Sequence, residues 1–204
     1  PTTPVSGNDS AVFIAYDIGY GHYFPGYYLA AYETSKGGAN WLSYYPVSPQ
    51  RPSVSGDGTW VFFVDAYNDA CFIETDPAAG SVESCLGFYD TISSVSMSPD
   101  QQLYGFVLMD AVGDPTNEIV VVDLRDGGET RTFTLSAPGS EGESINTVLF
   151  ADAMDFTSDN RWLIYDAFNV LRIADNTYIG VWSIYALDLV TEQIIALSPP
   201  VRDF

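Results

Sequence analysis

The chain has 204 residues, of which 47% are hydrophobic and 15% aromatic, a composition of folded domains and not of disordered ones. Its 27 acidic and 7 basic side chains give a formal charge of −20, and one Lys with six Arg cannot build the basic stripe that nucleic acid or an anionic membrane surface requires. No apolar run approaches the ~18 residues of a membrane-spanning helix.

From the start of the chain, one short phrase opens each of four units. It consists of a hydroxyl residue, a spacer, an Asp or Asn, a polar turn, and then a run of aromatic and β-branched residues. Ser and Asp side chains bond nearby backbone amides and favour a tight turn, while the run that follows prefers a pleated, half-buried surface. The first copy is Ser6 and Asn8 with the run 12–16. Its unit predicts strands over 11–16, 27–33 and 41–45, joined by a Gly- and Tyr-rich loop at 17–26 and a Ser-Lys-Gly-Gly turn. Ser55 and Asp57 open the second unit, with strands over 60–64, 70–74 and 82–88. Ser98 and Asp100 open the third, with strands over 103–109, 118–124 and 131–135 around an Asp126-Gly127-Gly128 turn. Thr157 and Asp159 open the fourth, with strands over 162–165, 181–189 and 193–197. Short strands before the last three phrases, at 52–54, 93–97 and 153–156, complete four strands per unit. No segment holds a 3.6-residue period over helical length, so the fold class is all-β.

The two cysteines flank a turn in the second unit. Pairing residues so that Ala78 lies at the centre of that turn sets Cys71 opposite Cys85, which predicts a disulfide in preference to two buried thiols. Such a bridge contributes about 3 kcal/mol and implies an oxidising compartment, extracellular or periplasmic.

The phrases start 49, 43 and 59 residues apart, and four-stranded repeats of this length are the signature of a β-propeller with four-stranded antiparallel blades. Ser98-Pro99-Asp100, the strand after it, and Ile119-Val120-Val121-Val122-Asp123-Leu124 before the Gly pair resemble the repeats of TolB-type propellers. The same repeat type occurs in the propeller domains of dipeptidyl- and prolyl-oligopeptidases. The resemblance covers nearly the whole chain and identifies a repeat, not an activity. Asn8 departs from the pattern in unit one, and the 74–76 segment departs from it in unit two. The blades divide at about 1–47, 48–90, 91–137 and 138–204. The segment 198–202 resembles the 48–52 bridge between units one and two. Three arrangements stay open: a closed four-blade ring, half of a larger ring completed by a second copy, or a fragment of a longer propeller.

In this topology the second-to-third strand loops and the bridges between blades share one face. The long connections at 17–26, 136–150 and 167–180 all fall there, which makes that face the candidate recognition surface. The residues proposed to bind are Tyr20, His22, Tyr23, Phe24 and Tyr27 from the first connection, with Asn169, Arg172 and Tyr178 from the third. Tyr rings suit a protein or carbohydrate contact, with copies of the chain itself among the partners. The alternative is a loop that packs its own aromatics, with His22 on the surface.

Asp17, Asp65, Asp110 and Asp166 end equivalent strands. They read as turn caps, with a carboxylate ring for Ca²⁺ as the lesser reading and no other cofactor. One His and no nucleophile elbow argue against catalysis. Ser55-Gly56-Asp57-Gly58-Thr59-Trp60 misses the sialidase Asp-box by one residue and is explained by its turn, and Asn8-Asp9-Ser10 matches an N-glycan acceptor. The leading reading is a non-catalytic extracellular or periplasmic binding or assembly scaffold. The alternative is a propeller fragment that gates an oligopeptidase-type hydrolase.

Overall fold

The computed structural model describes residues 10–19, 21–33, 37–76, 83–87, 92–137, 146–174, 177–198 and 201–202. The first phrase, at Ser6 and Asn8, lies outside them, as does Tyr20. The other three phrases close identically. Each hydroxyl donates to its Asp Oδ1: Ser55 to Asp57 at 2.6 Å, Ser98 to Asp100 at 2.7 Å and Thr157 to Asp159 at 2.6 Å. The hydroxyl oxygen then accepts backbone N–H groups from the start of the next strand, Trp60 and Leu103 at 3.0 and 2.9 Å and Trp162 at 3.0 Å. The residue after the Asp takes a left-handed backbone in all three, at Gly58, Gln101 and Asn160. The Ser55 hydroxyl and the Thr59 N–H hold the Asp57 carboxyl below the usual carboxylate range, and the Thr157 hydroxyl does the same for Asp159.

The described chain forms four antiparallel sheets, and these three turns lie in the second, third and fourth. The first is β1 (Ser10–Asp17), β2 (Gly26–Glu33) and β3 (Gly38–Trp41), in that order. The second is β4 (Ser53–Val54), β5 (Trp60–Val64), β6 (Ala70–Glu74) and β7 (Ser84–Cys85). The third is β8 (Ile92–Met97), β9 (Leu103–Met109), β10 (Pro115–Asp123) and β11 (Glu129–Thr134), with a single 3-10 turn at Leu124–Asp126. The fourth is β12 (Asn146–Phe156), β13 (Trp162–Ala174), β14 (Thr177–Asp188) and β15 (Ile194–Ala196), and β16 (Val201–Arg202) also pairs with β14.

Strand alternation explains why the sheets stand side by side. In β5, Val61 and Phe63 point to one face and Phe62 and Val64 to the other, and all four are buried. The first pair joins Val12, Leu29, Leu42 and Val47 of sheet one, while the second joins Ile92, Val95 and Phe106 of sheet three. A third seam packs Val107, Val121 and Phe133 of sheet three on Met154, Leu163 and Tyr185 of sheet four. The inner strands touch one another: the Ser53 Oγ accepts from the Met97 N–H at 2.9 Å, and the Ser94 hydroxyl donates to the Asp152 carbonyl. Arg51, leading into β4, reaches past sheet three to Asp155 of β12 at 2.9 Å.

The turns themselves are linked from sheet to sheet. The Gln101 amide donates to the Asp57 carboxylate at 3.2 Å, and the Asn160 amide donates to Asp100 Oδ2. Gly56 donates its N–H to the Pro99 carbonyl at 2.8 Å, and a Cβ on Gly56 would sit 2.9 Å from Pro99, so only glycine fits. Among the described residues, no such cluster or link joins sheet one to sheet four.

The disulfide joins Cys71 and Cys85, directly opposed in the β6–β7 register. Several expectations need correction. The 167–180 segment is no loop, because β13 and β14 run almost to each other's ends as one long hairpin and pair Asn169 with Val181 and Arg172 with Tyr178. Of the 136–150 bridge, residues 146–150 are strand and 138–145 lie outside the described residues. The strand expected at 41–45 ends at Trp41, because the Leu42 and Ser43 N–H groups both bond the Leu29 carbonyl and Ser43 Oγ accepts from Leu29 N–H. The same bulge recurs where Leu197 and Ser198 meet Ile184. Ser198 therefore corresponds to Ser43, not to Ser48, and Val201–Arg202 stay in sheet four, paired with Trp182 and Val181.

Two outcomes follow for stability. Ser98 is fully buried, so Ser98→Ala leaves the Leu103 N–H without its acceptor and the Gln102 N–H with only Asp100, and costs about 1–3 kcal/mol, read from urea unfolding. Asp188 is held at about 2 by the Arg161 guanidinium, 2.8 Å away, with the Val190 and Thr191 N–H groups adding to the effect. A carboxylate held below its unfolded value of about 3.9 adds stability at neutral pH that is lost as pH falls through the folded value. Asp188→Asn is thus less stable than wild type at pH 7, and the two unfolding midpoints converge between about pH 4 and about pH 2.

Candidate functional site

Asp17 organises the connection that follows β1. Its Oδ1 accepts the Gly19 N–H at 3.0 Å, and its Oδ2 accepts those of Gly21 and His22 at 2.9 and 2.8 Å. His22 Nδ1 lies 2.9 Å from the same carboxylate, and its Nε2 lies 3.2 Å from the Ser43 carbonyl. The imidazole stacks on Tyr28 at 3.6 Å with Trp41 edge-on at 4.9 Å, and the Tyr28 hydroxyl donates to the Phe24 carbonyl. His22 is therefore an internal strut of the connection, with only 8% of its side chain exposed, rather than a surface contact.

Folding the polar groups inward turns the apolar ones out. Tyr23 is 91% exposed, and Ile18, Phe24, Tyr16 and Tyr27 are exposed beside it. Tyr16 and Tyr27 form an edge-on pair at 5.1 Å where β1 meets β2. The bridge to sheet two adds exposed Tyr44 and Tyr45, and ends at Val47, whose N–H donates to the Tyr27 carbonyl and which pairs with Asp65. Tyr67, 83% exposed, tips the corresponding connection of sheet two, and Val112 that of sheet three. Exposed aromatic side chains thus form a ledge at one end of the first two sheets. Tyr44, Tyr45 and Tyr67 were not among the sequence candidates. Their signal was legible, since a Tyr pair in a bridge between repeats has no core to enter.

The remaining candidates divide. Arg172 and Tyr178 are cross-strand partners near the tip of the β13–β14 hairpin, and Tyr178 is exposed. Asn169 is fully buried and donates to the Ala167 carbonyl at 3.3 Å, because alternation along β13 aims it toward sheet three with Ala167 and Tyr165. It cannot meet a ligand on the surface. Asp65 accepts the Tyr67 and Asp69 N–H groups at 2.8 Å each, and Asp110 accepts those of Val112 and Asp114 at 2.9 and 3.0 Å. These carboxylates are turn caps, like Asp17. Asp166 is a mid-strand residue accepting the Ala153 N–H at 2.7 Å, so the four do not occupy equivalent sites. Asp65, Cys71, Glu83 and Cys85 converge within 4.8 Å, but the two sulfurs are spent on each other.

Asp17→Ala leaves three N–H groups without their acceptor and should cost about 1–3 kcal/mol in urea unfolding, with loss of the near-ultraviolet circular dichroism of the His22–Tyr28–Trp41 stack. Asp17→Asn keeps one acceptor oxygen and loses less.

No family model and no curated protein matches the chain. Solved structures do. TolB from Acinetobacter baumannii is 15% identical with a TM-score of 0.64, over 98% of this chain and 43% of that one. A putative TolB from Agrobacterium tumefaciens is 15% identical with a TM-score of 0.59, over 96% of this chain and 64% of that one. The β-propeller domain of the Trilobed protease from Pyrococcus furiosus is 10% identical with a TM-score of 0.57, over 98% and 57%. The chain spans less than two thirds of each of these structures. At such identities the likeness is one of fold, and with four antiparallel sheets packed side by side this chain folds as a TolB-like β-propeller.

Proposed function

We propose that the protein is a non-catalytic binding scaffold that holds a partner protein against the aromatic ledge of blades one and two. The observation that carries this reading is the outward set of Tyr16, Ile18, Tyr23, Phe24, Tyr27, Tyr44, Tyr45 and Tyr67 on a connection braced by Asp17. A cluster of exposed apolar side chains of this kind is a mark of an interaction surface, and Tyr supplies contact area at low entropic cost. Between the two ligand classes raised by the sequence, protein fits better than carbohydrate. Beyond the Tyr hydroxyls, a sugar would need carboxylate or imidazole partners among the rings, and here Asp17 and His22 are turned inward and occupied. The charge of −20 favours a partner with a basic rim. The Cys71–Cys85 bridge supports an extracellular or periplasmic setting. The single His, committed to Asp17 and Ser43, supports a role without catalysis.

Selection of a displayed random-peptide library on the immobilised protein tests the reading, with a glycan array run alongside. The expected result is enrichment of apolar peptides with basic residues, bound about tenfold or more weakly by a Tyr23→Ser, Phe24→Ser, Tyr45→Ser variant. Peptides that bind this variant as well as wild type, or glycan binding that the variant abolishes, would overturn it.

A further inference from the structure

The three seams between blades are not filled to the same depth. Sheets that diverge from a common axis open a wedge at their outer strands, and larger side chains must close it. Between blades three and four they do: Phe133, Leu135 and Leu189 are buried there, and the Arg131 guanidinium lies over Phe133 and donates to the Leu189 carbonyl at 2.7 Å. Between blades two and three the outer strands offer Ser84 from β7 and Thr130 from β11, beside Gly128. The wedge stays open as a cleft of about 600 Å³, within the range of small-molecule sites.

Its walls are aromatic. Trp60 and Phe72 of blade two face Tyr104 of blade three, with Met97, Leu86 and Val122 completing the floor. Phe62 stacks behind Phe72 at 4.5 Å, and Tyr104 stands perpendicular to Phe72 at 5.0 Å, its hydroxyl held by the Gln101 carbonyl at 2.8 Å. The rings are thus fixed before anything enters. Among the described residues no charged side chain lines the cleft, and its polar groups, Ser84, Gln101 and Thr130, stand among the outer-strand and turn residues. A carboxylate or sulfonate would find no cation to replace its water and would approach a chain of charge −20.

We infer that the cleft between blades two and three is a binding site for an uncharged, flat aromatic molecule with one hydrogen-bonding edge. The rings take its faces and edges, and the Ser84 and Thr130 hydroxyls meet its polar edge. Trp60, Gln101, Leu124 and Gly128 place the cleft at the Ser-x-Asp turn end of the blades, away from the aromatic ledge, so this site stands or falls separately from the partner-binding reading.

Fluorescence titration with N-phenyl-1-naphthylamine, a neutral apolar aromatic, tests it. Saturable binding at one site is expected, with energy transfer from tryptophan that falls in Trp60→Phe. Thr130→Trp and, separately, Ser84→Trp fill the cleft from exposed positions and should weaken binding about tenfold or more. Two variants guard against one failing to fold, which circular dichroism reports. Tyr67→Ser, on the opposite end, should bind as wild type. The anionic 1-anilinonaphthalene-8-sulfonate should bind about tenfold or more weakly than the neutral probe. Absence of saturable binding, indifference to both Trp variants, loss in Tyr67→Ser, or equal affinity for the anionic probe would each overturn the assignment.

Discussion

The structure depends on one small clamp, a hydroxyl that donates to the Asp two residues on and accepts the N–H groups of the strand that follows. It fixes where each hairpin turns, and therefore which residues of the next strand face which neighbour. A slip of one residue would exchange the two faces, sending Phe62 into the seam built for Phe63. Because both faces of the middle blades are buried, no slip is tolerated, and the burial of Ser55 and Ser98 shows how little room the clamp leaves. The same Asp then receives an amide from the next blade, so a local turn motif also sets the spacing between sheets.

Repetition made most of this legible. Four phrases and their spacing give the blade count, and the alternation after each phrase gives the strands. Cys71 and Cys85 fall opposite each other because the register of a hairpin follows from its turn. What escaped was structure set by length rather than by motif. The Asp that ends the equivalent strands of other units predicts a loop over 167–180, yet β13 and β14 stay paired from Trp162 and Asp188 out to Ala174 and Thr177. The exits of the outer strands also recur in a way that composition hides. Leu42, Leu86, Leu135 and Leu197, each just past the end of an outer strand, donate an N–H to the neighbouring strand, to the carbonyls of Leu29, Ala70, Asn117 and Ile184.

The aromatic connection after β1 was legible in outline, and the placement of its side chains was not, for a physical reason. Sequence places Tyr23 and His22 in one loop and cannot tell which of them is turned in. The deciding term is the cost of burying unpaired N–H groups, which Asp17 removes for three residues at once and which draws His22 inward with it. The rings with nothing to pair are left outside. Burial and exposure are therefore divided among adjacent residues of one connection, and a change to the inner set reaches the outer set through the backbone.

The amide-to-carboxylate link between neighbouring turns has a direction. Blade three gives to blade two and blade four gives to blade three, so the row of sheets has a donating side and an accepting side, like teeth cut at a slant. Asp159 is the accepting end presented by blade four. Two copies meeting through that same end, related by a two-fold axis, would set acid against acid, and only a non-identical surface can carry the pattern onward.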